Sequence, residues 1–113
     1  MRLKSALFVS AHIRRCAVEG VTAVLTRRGA EEAGAIFVIV DRLDGTEDLY
    51  APAPQSAFED RAVERLFQRV IDRGTPPDIM TRIGREVRFD PDLWVLTIED
   101  RDGRTFLDVV EGE

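Results

Sequence analysis

Six consecutive apolar residues, Ala35-Ile-Phe-Val-Ile-Val40, stand between a charged loop bracketed by Gly29 and Gly34 and a polar turn that begins at Asp41. β-branched and aromatic side chains dominate the run, and it is too short for a typical helix. Such a run reads as a central strand with both faces buried. The preceding loop, Arg27 to Gly34, then sits at the rim of the core element, where a rigid scaffold can hold charged groups still.

The rest of the chain can be read outward from that strand. Val21 to Arg28 alternates apolar and polar residues and predicts a strand over 21–28, with the central strand over 35–42. Asp44-Gly45 is a type I′ hairpin signal, in which both central residues need positive φ, and 47–51 returns antiparallel. Pro52 and Pro54 end it, because proline cannot donate to a ladder. Residues 5–18 read as a helix, with Ser5 able to cap its start and Gly20 placed as the C′ glycine, although Leu7, Val9, Ala11 and Ile13 also alternate like a strand. Ser56 and Glu59 form a capping box. Val63, Leu66, Phe67, Val70 and Ile71 follow at helical spacing up to Gly74, while weak alternation keeps a strand over 65–72 open. Thr75-Pro76-Pro77-Asp78 opens another helix, with Ile79, Met80, Ile83 and Val87 as its buried stripe. Leu93 to Glu99 reads as a strand, Asp102-Gly103 as a second hairpin turn and 105–110 as its partner. The expectation is one α+β domain over 1–113: an antiparallel sheet of about five strands with two or three helices packed on one face.

At 113 residues, 44% of them hydrophobic and 33% charged, the chain can bury one core of its own. No apolar run approaches the ~18 residues of a membrane span. The N-terminal stretch resembles a short signal peptide, but His12, Arg14 and Arg15 stand where a cleavage site belongs. The lone Cys16 fits a reducing, cytoplasmic setting. Residues 1–28 carry six basic groups against Glu19, while the remainder is strongly acidic. There is no basic run and no interleaved aromatic platform, so the nucleic-acid signature is absent.

A single histidine excludes a zinc cluster. His12 and Cys16 are one helical turn apart, a conceivable nucleophile pair, but one turn is a poor way to offer both to a substrate beside an oxyanion hole. No phosphate-binding glycine motif occurs. Two constellations remain. Arg27 and Arg28 with Glu31 and Glu32 can grip an anion while one arginine pairs with a glutamate, or they form a solvated rim. Asp90 and Asp92 with Trp94 can offer carboxylates beside an aromatic surface, or Asp90-Pro91 ends a helix and Trp94 anchors the core. No catalytic residue, metal or cofactor is assigned.

Several fragments carry a family resemblance: Arg27-Arg28-Gly29, Ala33-Gly34-Ala35-Ile36-Phe37-Val38, Arg42-Leu43-Asp44-Gly45, Pro52-Ala53-Pro54-Gln55-Ser56 and Arg88-Phe89-Asp90-Pro91-Asp92-Leu93-Trp94. Over its full length the chain resembles an alphaproteobacterial family known as domain of unknown function 1491. The resemblance implies a cytosolic bacterial protein of this size and supplies no activity, cofactor or catalytic residue. The function that fits is a non-catalytic interaction or accessory module, with a protein partner or a second copy as its target. The alternative is a small enzyme or anion-binding protein with its site at the Arg27–Glu32 rim near Asp90, Asp92 and Trp94.

Overall fold

The computed structural model describes residues 4–54 and 65–110. Its elements, in chain order, are α1 (Ser5–Val18), β1 (Thr22–Arg27), β2 (Ile36–Asp41), β3 (Glu47–Pro52), β4 (Phe67–Gly74), α2 (Pro76–Phe89) and β5 (Trp94–Glu99). The five strands form one sheet in the order β1-β5-β2-β3-β4. β2 lies at its centre and is buried along Ile36–Val40. Ile36, Val38 and Val40 point to one face, and Phe37 and Ile39 to the other, as strand alternation requires.

The α+β class holds, with five strands and two helices. The sheet is mixed, however, because β2 and β5 run parallel, in register from Ile36↔Trp94 to Asp41↔Glu99. The cause is α2. It carries the chain back across one face after β4, so β5 starts at the same end as β2. The helices also lie on opposite faces and not on one. α1 places Val9 and Cys16 against Ile36, Val38, Trp94 and Leu96. α2 places Ile79 and Ile83 against Phe37, Ile39, Leu49 and Val95. A central strand that is apolar on both sides needs both layers.

Local chemistry accounts for the helix ends. Val21 N–H donates to the Cys16 carbonyl and Gly20 N–H to that of Ala17, with Gly20 at φ 78°, a Schellman close to α1. Ser5 does not cap α1. It is the first helical residue, is buried, and donates its hydroxyl to the Gly34 carbonyl at 3.0 Å. Thr75 caps α2, its Oγ1 accepting from Asp78 N–H at 3.2 Å. Met80 leaves the expected stripe and is 64% exposed.

Three local expectations are corrected. Residues 67–74 form strand β4, the alternative to a helix there; the capping box at Ser56 and Glu59, with Val63, lies outside the described residues. Phe67 packs on the α1 face, while Val70 and Ile71 pack on the α2 face. Register shifts against β3 let these side chains reach opposite layers. Second, residues 105–110 make no hairpin with β5. The Asp100 carboxylate accepts from the backbone N–H and guanidinium of Arg104, turning the chain off the sheet. It then meets β4 through a single bridge, Phe67↔Val109. Third, the β2–β3 turn is wider than a two-residue loop. Leu43 (φ 62°) and Gly45 (φ 93°) take the positive-φ positions, and Asp44 accepts from the Thr46 N–H and hydroxyl.

Candidate functional site

Sheet order dictates what the Arg27–Gly34 loop must do. β1 and β2 are consecutive in sequence, yet β5 lies between them. The loop therefore has to cross the entry of β5, and this crossing brings the two sequence constellations together. Ala30 N–H donates to the Asp92 carbonyl at 3.1 Å, and Trp94 N–H donates at its own backbone to Ala35. The indole N–H of Trp94 donates to Ala30 at 2.8 Å and more distantly to Ala33. The crossing is so tight that a Cβ on Gly29 or Gly34 would lie 2.0 or 2.1 Å from the Asp92 carbonyl oxygen.

The charged groups of this rim serve the same crossing. Arg27 is half-buried and donates to the carbonyls of Pro91 (3.1 Å) and Leu93 (2.8 Å), so no glutamate orients it. Arg28 is exposed and lies over the Trp94 ring, 5.5 Å from its centre. Asp90 accepts from Ala35 N–H and Asp92 N–H, one at each carboxylate oxygen. Trp94 is buried, a core anchor with its N–H satisfied. Asp92 and Glu31 are exposed; the Glu31 carbonyl accepts from Ala6 N–H. Glu32 lies 3.5 Å from Lys4 in an exposed pair, worth little on its own.

The far side of the same loop borders a cleft of about 550 Å³. Its apolar walls include Ala33, Ile36, Ala53 and Phe67, and its polar groups are Lys4, Ser5, Glu32 and Arg65. Arg65 lies over the Phe8 ring and donates through Nη2 to the Ser5 hydroxyl at 3.2 Å. α1 begins at this cleft with no side-chain cap and no acid in its first turn, so its positive end is not neutralised from within the helix. Of the seven residues singled out in the sequence, only Glu32 lines the cleft. Lys4, Ser5 and Arg65 were missed as a group. Lys4 and Ser5 stand at the start of α1 and Arg65 just before β4, distant in sequence, and no local spacing links them.

The other candidates face inward. His12 is buried, stacked on Phe8, with Nε2 2.7 Å from the Thr105 carbonyl, which makes Nε2–H the donor. Burial lowers its pKa below the ordinary 6.5, against the opposing effect of that hydrogen bond. Cys16 is fully buried, and burial pushes its thiol pKa up. Asp48 is fully buried as well, with Arg42 Nε and Nη2 on one oxygen and Arg73 N–H on the other, a clamp that joins the β2–β3 turn to the end of β4. Among the described residues no three His, Cys, Asp or Glu side chains cluster as metal ligands, and no helix is long and apolar enough to cross a membrane.

A family profile described as "Protein of unknown function (DUF1491)" matches residues 3–108. Among solved structures, a protein of A. tumefaciens, determined in solution, is 43% identical with a TM-score of 0.84, covering 100% of this chain and 98% of its own. A DUF1491 family protein from Caulobacter crescentus, seen in a crystal, is 37% identical with a TM-score of 0.78, covering 97% of this chain and 99% of its own. No curated protein matches the chain.

Proposed function

The chain belongs to the DUF1491 family, and from that premise we propose that it is a non-catalytic binding module whose cleft between α1, β2 and β4 takes a small molecule bearing a carboxylate or phosphate. The observation that carries this reading is the meeting of Lys4 and Arg65 at one cleft of about 550 Å³. That size is within the range of small-molecule sites, and its mostly apolar walls suit a ligand with an apolar body. Lys4 and Arg65 bring cationic groups to a lining that also holds Glu32, beside the start of α1, whose first turn carries no acid. The Arg65 guanidinium, held by the Ser5 hydroxyl and over the Phe8 ring, lies in the cleft wall, and Lys4 adds a mobile point charge at its rim.

A binding role is favoured over catalysis because His12 and Cys16, the best base and nucleophile in the chain, are turned into the core. The rim residues Arg27, Arg28, Asp90 and Trp94 hold the loop crossing that shapes one wall of the cleft, and so support the site without touching the ligand. With one buried cysteine, a cytoplasmic setting suits the protein. The test is thermal denaturation in inorganic phosphate, citrate and a series of acyl carboxylates. At least one anion should raise the Tm with concentration, as a ligand of the folded state must. Lys4→Ala, an exposed change, should weaken the effect, and Arg65→Gln should abolish it. An absence of any shift, or an equal shift in both variants, overturns the assignment.

A further inference from the structure

The two edges of the sheet are treated differently. At β4 the C-terminal segment lies alongside: Phe67 N–H donates to Asp108 and Val110 N–H to Phe67. Arg69, Asp72 and Arg73 add charge along that strand. Both are ordinary protections of an edge. β1 pairs only with β5, and among the described residues nothing lies along its outer side. Its sequence, Thr-Ala-Val-Leu-Thr-Arg, has no proline and its only charge is at the end. The register irregularity falls between Leu25 and Arg27, so Thr22–Leu25 is regular.

Both faces of β1 are also incomplete. α1 lies against β1, the outermost strand, as well as against β5. Between the end of α1 and the start of β1 is a groove of about 360 Å³ lined by small and apolar residues, among them Ile13, Ala17, Val21 and Ala23. On the opposite face Thr22, Val24 and Thr26 are exposed, because α2 covers β3 and β4 instead.

We propose that β1 is the interface of a two-fold homodimer, in which the β1 strands of two copies pair antiparallel and join the sheets into one. A second copy fits because the edge is self-complementary in charge. Glu19 precedes β1, and Glu99 lies opposite Thr22; Arg27 and Arg28 stand at the other end, with Glu31 farther along the loop and Asp92 in the turn before β5. A two-fold axis near Ala23 and Val24 brings the arginine end of one strand beside the glutamate end of the other. It also sets Val24 against β-branched neighbours across the new ladder, which favours pairing. The regular stretch is short, so the dimer is a reversible one.

Sedimentation equilibrium over a concentration series tests this. The mass of the wild type should rise toward twice that of the monomer. Val24→Lys, at a side chain 45% exposed in the single copy, should leave a folded monomer by circular dichroism. Arg28→Glu and Glu19→Arg should each weaken association by tenfold or more, and the double variant should restore it. A wild type that stays monomeric to about 1 mM overturns the proposal, as does a dimer that Val24→Lys leaves intact or a charge swap that fails to rescue.

Discussion

Four glycines illustrate how one residue type answers different demands. Gly29 does not need a positive φ, but a Cβ there would strike the Asp92 carbonyl, so Gly29→Ala should destabilise by about 2–3 kcal/mol. Gly34 has the same clash and φ 100° besides, so its alanine variant should be worse by roughly another 1 kcal/mol. Gly45 has open space and only its φ of 93° to protect, and Gly45→Ala should cost about 1 kcal/mol. Gly84 lies within α2 with nothing near it, so Gly84→Ala should stabilise by about 0.5–1 kcal/mol. Urea midpoints of the four variants check the order. His12 gives a prediction in pH. Its folded pKa lies below 6.5, so on acidification the unfolded chain takes up the proton first. Its contribution is fully present above about pH 6.5 and is lost as the pH falls from there toward the folded value. His12→Gln keeps a donor for Thr105 and does not titrate. Comparing urea midpoints at pH 7.5 and 5.5 should therefore show a smaller acid loss in the variant than in the wild type.

Elements differed in how openly the sequence declared them. β2 was legible because an apolar run of strand length has few alternatives, and α2 because Thr75-Pro76-Pro77-Asp78 is a start signal that needs no tertiary help. β4 was not. Phe67, Val70 and Ile71 satisfy a helical stripe equally well, and only the need of β3 for a partner on its outer side decides between the two. The parallel β2–β5 pair was hidden for a related reason: relative direction depends on where α2 crosses, which periodicity does not record. The candidate site divides in the same way. The rim residues were visible as motifs because a tight crossing needs glycines and satisfied donors at set positions. The cleft was invisible because it is assembled from α1, β2 and β4. If β2 is the two-sided centre that its burial shows, Phe37→Ala should cost roughly 3–5 kcal/mol. The same truncation at Phe89, 88% exposed at the end of α2, should stay within about 0.5 kcal/mol. Chemical denaturation of both variants distinguishes a buried aromatic residue from a surface one.

Stability across the molecule should fall from the middle of the sheet outward. β2 is flanked by two strands and covered by two layers, so opening it means breaking both cores at once. β5 shares that position, with Leu96 and Ile98 fully buried between β1 and β2. β1 has one partner, one covering helix and exposed alternate residues. Local opening free energies follow buried contact and ladder partnership, so amide exchange should rank these strands. Amides of Val38, Val40, Leu96 and Ile98 that bond within the sheet should exchange only through global unfolding, with a denaturant dependence equal to that of the whole protein. The β1 amides directed away from β5 should exchange orders of magnitude faster in dilute protein. Because pairing between copies would protect those amides and no others, their exchange should slow as protein concentration rises while the β2 amides stay unchanged. A uniform exchange rate across β1 and β2 would show that the outer strand is held by something beyond the contacts with β5 and α1.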